Sequence, residues 1–177
     1  MIDPGTQQIR GLSGVSWSTP SSVAVLPSGA VVVADGDRVW SVPRTGAATV
    51  VFGGGATEPR DDTMSAAATS LSAGPIADVA VAADGTIAVS TPIRWYLMGD
   101  GTARRLPRSD FGVAGLASAG PGAWWTGDGF RVHQGGAVDV VVAGGYWPLR
   151  TAQVATTLSG QALIVTGANP GTQVLRL

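Results

Sequence analysis

The sequence predicts an all-β chain of repeated four-stranded antiparallel units, and three observations carry that expectation. A short apolar run ending in a glycine turn recurs four times without gaps. Each copy is followed by further β-rich runs separated by small turns. The composition, with 26 Gly and 11 Pro in 177 residues, argues against long helices.

The recurring run reads SVAVLPSG at 22–29, DVAVAADG at 78–85, GLASAGPG at 115–122 and QVATTLSG at 153–160. Its turn glycines are Gly29, Gly85, Gly122 and Gly160, spaced by 56, 37 and 38 residues. Tight hairpin turns often need a residue at positive φ, which glycine adopts without steric cost. Second runs follow each glycine: AVVVAD, TIAVS, AWWTG and QALIVTG. Third runs are DRVWSV, IRWYLM, FRVHQ and TQVLRL, with Arg38, Arg94 and Arg131 in one repeated place. Fourth runs are AATVVF, TARRL and AVDVVVAG. Four short strands in under ~45 residues is the size of a β-propeller blade. The expected fold is a single small β-propeller domain of about four blades, at 20–52, 75–106, 112–144 and 150–177.

The fourth blade stops after its third strand, and TQQIRGLSGVSW at 6–17 aligns with VDVVVAGGYW at 138–147. Residues 6–13 are therefore expected to supply the missing outer strand and close the ring, which removes two sheet edges at once. The long interval holds an insertion at 53–74. It is read as a loop, with a short helix around 64–71 as the alternative; Ala67, Ala68 and Leu71 would form its apolar stripe.

PSSVAVLPSGAVVVADGDRVWSV at 20–42 and PIADVAVAADGTIAVS at 75–90 resemble the NHL-repeat propellers, in the strand, turn, strand and Arg-hydrophobic order of that family. The insertion, with the proline after it, resembles the acidic, alanine-rich linker of bacterial NHL arrays. The resemblance covers residues 20–90 and fades where AWWTGDG replaces the second strand. It implies a propeller, of usually six blades, so that four would form a small ring or half of one assembled from two chains.

Composition narrows the chemistry. No Cys is present, which excludes disulfides, thiolate metal sites and thiol nucleophiles. The 11 basic residues, all Arg, stand against 12 acids, so no nucleic-acid surface is expected. No apolar run reaches membrane-spanning length, and MIDPGTQQIR lacks the pattern of a signal peptide. The compartment stays open.

Alternating loop ends place the linkers before first strands and the loops between second and third strands on one face. Candidate binding residues there are Trp17, Asp35, Asp37, Arg60, Asp61, Asp62, Asp128, Trp147 and Asn169. The single histidine, His133, cannot build a multi-His zinc site, and no G-x-S-x-G turn accompanies it. The inner strands are Val and Ala, with Asp78 the one nearby acid, so no channel metal is expected. Arg104, Arg105 and Arg108 are read as charges that protect an outer strand's edge. Trp17 and Trp147 are read as wedges between blades. Trp40, Trp95 and one of Trp124 or Trp125 are the expected interblade anchors, the last two pointing to opposite faces of one sheet.

The functional expectation is a non-catalytic module without cofactor, for protein recognition or assembly. Its partner is unknown. It could be a second copy or a larger ring, and a structural or decoration subunit of a virion or secretion machine would fit. The alternative is a small propeller enzyme of the lyase or lactonase type.

Overall fold

The computed structural model describes residues 15–58, 64–106, 115–126, 130–134, 137–140, 153–156, 162–167 and 172–176. Alternating small and β-branched residues make these segments strands, and antiparallel hairpins join them into sheets. The first sheet contains β1 (Pro20–Val25), β2 (Val31–Asp35), β3 (Arg38–Val42) and β4 (Thr49–Gly53), in that order. The second contains β5 (Ser65–Ala67), β6 (Asp78–Val81), β7 (Ile87–Ser90), β8 (Trp95–Gly99) and β9 (Thr102–Arg105), in the order β5-β9-β8-β7-β6. The third contains β10 (Leu116–Ser118), β11 (Ala123–Thr126), β12 (Phe130–His133) and β13 (Val138–Val140). The fourth contains β14 (Gln153–Thr156), β15 (Ala162–Gly167) and β16 (Thr172–Arg176). The helical content of the described residues is one 3-10 turn, Ala68–Ser70.

The repeated glycines act as the sequence suggests. Gly29 N–H donates to the Leu26 carbonyl at 2.8 Å, and Gly85 N–H to that of Ala82 at 2.9 Å. Their φ values are 81° and 87°. Each is the left-handed residue that ends a three-residue hairpin loop and restores strand register.

Sheets stack face to face through their first strands: β1 packs on β6, β6 on β10 and β10 on β14. Strand alternation sorts the core by interface. Val32, Ala34, Val39 and Phe52 of the first sheet meet Val79, Ile87, Val89, Tyr96 and Met98 of the second. Phe52 and Tyr96 touch with ring centroids 5.2 Å apart. The other face of the second sheet, with Ala80, Ala88, Trp95 and Leu97, meets Leu116, Trp124 and Val132 of the third.

Several expectations change in detail. The insertion does not stay on one loop face. It descends the outer side, where β5 pairs with β9 and makes the second sheet five-stranded. Residues 65–67 are strand and only Ala68–Ser70 is helical, so no helix spans 64–71. Its apolar residues reach an interface: Ala68 and Leu71 are each 1% exposed in the core between the first two sheets. Arg104 and Arg105 do not guard a free edge, because β5 covers β9; Arg108 lies outside the described residues.

Register also separates the arginines. Arg38 pairs opposite Asp35, whereas Arg131 pairs opposite Trp125, farther from the loop end. The loops between second and third strands differ in length, so equal spacing from the loop does not mean equal place in the ladder. Trp95 and Trp124 are interface anchors, at 1% and 0% exposure. Trp125 points to the opposite face from Trp124, with the Arg131 guanidinium 5.6 Å over its ring. Trp40 lies on the face of the first sheet that turns away from the second. Residues 6–13, expected to close the ring, lie outside the described residues.

Candidate functional site

The loop end of the first two sheets gathers the described candidates. The irregular lead-in segment brings Trp17, Ser18 and Thr19 over the end of β2. Asp35, 8% exposed, accepts the Ser18 N–H at 3.0 Å on both carboxylate oxygens, the Ser18 hydroxyl at 3.2 Å and the Thr19 N–H at 2.5 Å. Burial alone would raise its carboxyl, but these hydrogen bonds outweigh it and hold the group below the ordinary carboxylate range. Gly36 N–H donates back to the Thr19 carbonyl at 3.4 Å, and the Ile76 N–H reaches the Gly36 carbonyl at 2.8 Å. The expected sharing of one end by lead-ins and second-to-third loops is thus present here.

Asp37 is exposed and lies 3.7 Å from Arg38 Nε, in a pair open to solvent. Such a pair contributes little to stability and is presented at the loop end. Trp17 is half-buried and meets Trp40 edge-on, with centroids 6.3 Å apart. It packs on Val31, Val33 and Val42 of the first sheet alone, so no second described sheet makes it a wedge between blades. Arg60, Asp61, Asp62, Asp128, Trp147 and Asn169 lie outside the described residues.

Asp78 holds the most connected position. Its carboxylate accepts the Ser22 hydroxyl from β1, its own strand's Val79 N–H at 2.8 Å, and the Leu116 N–H of β10 at 2.5 Å. One side chain therefore ties the first strands of three sheets. Burial pushes its carboxyl above the ordinary range, more than the bonds from Ser22, Leu116 and Val79 lower it. Sequence reasoning noted Asp78 only as an isolated acid. The available signal was that Ser22 and Asp78 occupy the same place in successive repeats, 56 residues apart.

At the opposite, hairpin end, a groove of about 410 Å³ opens between the first and second sheets, lined by Leu26, Val32, Val51, Ile87 and Met98, with Thr69 of the insertion at its side. Its floor is apolar, and Ser41 and Asp100 also line it. Among the described residues, no cluster of three His, Asp or Glu side chains is arranged to hold a metal ion.

These sheets define a propeller-type fold, and solved structures agree. Virginiamycin B lyase from Staphylococcus aureus, in a catalytically inactive variant solved with quinupristin, superposes with a TM-score of 0.58 at 11% identity, over 88% of this chain and 54% of the lyase. The extracellular domain of a putative hybrid two-component system from B. thetaiotaomicron superposes at 0.57 and 13% identity, over 93% of this chain and 23% of that one. Both are propeller-type proteins. The chain thus spans about half the length of the lyase it matches. No family profile matches the sequence, and neither does any curated protein.

Proposed function

We propose that this chain is a non-catalytic β-propeller module, of the NHL-like kind, that works by recognition or assembly. The observation that carries this reading is the employment of its two best-placed carboxylates. Asp35 and Asp78 accept three or more hydrogen bonds each from their own scaffold. A carboxylate so engaged fixes loops and inner strands, and has little freedom to move a proton or bind a ligand. What the scaffold then presents to a protein partner is the loop end: Trp17, Asp37 and Arg38, with Arg60, Asp61, Asp62, Asp128 and Trp147 proposed beside them. No cofactor is needed, and a structural or decoration subunit of a larger particle is a setting that suits such a module.

A lyase-type enzyme is the second reading. It is favoured by the fold-level likeness to virginiamycin B lyase, and by the raised carboxyl of Asp78 near the inner strands, the kind of shift that general acids use. Metal analysis of the purified protein separates the two. The recognition reading expects divalent metal far below one equivalent per chain. A stoichiometric divalent ion, with turnover lost on its removal, would overturn it in favour of the enzyme.

A further inference from the structure

The two faces of the first sheet have different fates. One is buried against the second sheet. The other carries Val23, Val31, Val33, Trp40 and Val42. By repeat position, these correspond to Val79, Ile87, Val89, Tyr96 and Met98 of the second sheet. That second set is the face which the second sheet buries on the first.

The correspondence makes the contrast in burial informative. Val79 is 3% exposed, while its equivalent Val23 is 63% exposed, and Val25 beside it is 62% exposed. Trp17 and Trp40 shield Val31, Val33 and Val42 farther out. The inner end, where neighbouring first strands should meet, stays open. Among the described strands, β1 packs extensively only on β2 and β6. The sequence has therefore written an inter-sheet face at a place where no described sheet covers β1. Exposed apolar surface of this kind, continuous with a half-built core, marks an association site.

Two observations choose the occupant. A face patterned as this one expects the surface that the first sheet offers the second, namely the forward face of another sheet in the same series. In the order first, second, third, fourth, no described sheet packs beyond the fourth. The second observation is size: 88% of this chain covers 54% of virginiamycin B lyase, so two copies supply about one such propeller. We propose that the open face of the first sheet takes the fourth sheet of a second copy of this chain, so that two copies complete one ring. The contact is heterologous in surface but closes by a two-fold rotation, which limits assembly to two. This deepens the recognition reading above and rests on it: the first partner is the chain itself.

Sedimentation velocity of the full chain across a concentration series tests this. The expected wild-type mass is twice the 17.8 kDa of the chain. Val23→Asp with Val25→Asp puts carboxylates into the contact and should weaken association by at least about 100-fold, since a buried unpaired charge is costly. Its circular dichroism should stay native, because both residues are exposed in the single chain. Should that variant fail to fold, Val23→Thr with Val25→Thr keeps the branched shape and should still weaken association measurably. A wild type that stays at 17.8 kDa up to about 100 μM, a range that detects affinities of about −5.5 kcal/mol or better, overturns the proposal; so does a mass of three or more copies, or a variant that associates like wild type. The recognition reading fails by a different result, the stoichiometric metal and turnover described above, so each can fall alone.

Discussion

Replacing Asp35 should detach the lead-in segment from the first sheet in a pH-dependent way. In the native protein its carboxylate takes two backbone N–H groups and one hydroxyl, at 2.5 to 3.2 Å. A hydrogen bond to a charged acceptor contributes about 1.5–3 kcal/mol net, and less where water can replace the acceptor. Ser18 and Thr19 are exposed, so water recovers part of the loss, and Asp35→Ala should cost about 2–3 kcal/mol. Asp35→Asn keeps the size and one acceptor oxygen and should cost about 1 kcal/mol. The folded carboxyl lies below its ordinary value. The unfolded chain therefore binds this proton more readily, and the stabilisation from Asp35 is complete above the unfolded value and lost as pH falls through the folded one. Urea unfolding, followed by tryptophan fluorescence, should show the gap between wild type and Asp35→Asn at pH 7 and a smaller gap near pH 3. Equal stability at pH 7, or a gap that persists undiminished in acid, would refute the assignment of the lead-in to this carboxylate.

Asp78 should behave with the opposite sign: its folded carboxyl is raised, so its contribution to stability grows as pH falls from above the folded value toward the unfolded one. Comparing wild type with Asp78→Asn by urea unfolding between pH 4 and pH 7 reads that slope, and a difference independent of pH would contradict it. Truncating Trp95 or Trp124 to Ala should cost about 3–5 kcal/mol in the same assay, since both are core residues between sheets. Trp40→Ala should cost clearly less in dilute protein, because its face has no described sheet upon it, and an equal loss would mean that the face is covered within one chain. Gly53→Ala should destabilise by more than the usual ~1–3 kcal/mol for a non-glycine residue at positive φ, since an added Cβ would stand 2.0 Å from the Asp37 carbonyl oxygen.

Much of the strand order was legible because the repeat carries it locally. Gly29 and Gly85 sit in turns that demand positive φ, and Val31 to Ala34 alternate between faces as a strand requires. What the sequence hid depends on contacts between distant segments. Ser65–Ala67 has no strong strand signal, and it becomes a strand because β9 offers an open edge. Trp40 and Trp95 look alike as β-strand tryptophans, yet they belong to opposite faces. They are neighbours of Val33 and Ser90 in their ladders, and the pairing register assigns each to its face. The bracket at Asp78 was only partly legible: the repeat aligns Ser22 with Asp78, but that its three donors come from β1, β6 and β10 depends on how the sheets stack. Asp35 was placed correctly at the loop end, but its bonds to Ser18 and Thr19 give it a scaffold role that its position alone did not reveal.

The absence of cysteine allows a direct test of the claim that this module works through assembly at the open face of its first sheet. Val23→Cys introduces a single thiol at a position 63% exposed in the isolated chain. Its rate of alkylation should fall as protein concentration rises through the range in which two copies associate, because a buried thiol is shielded from reagent. A thiol that reacts at one fast rate at every concentration would show that nothing of this chain docks there, and the assembly account would fail.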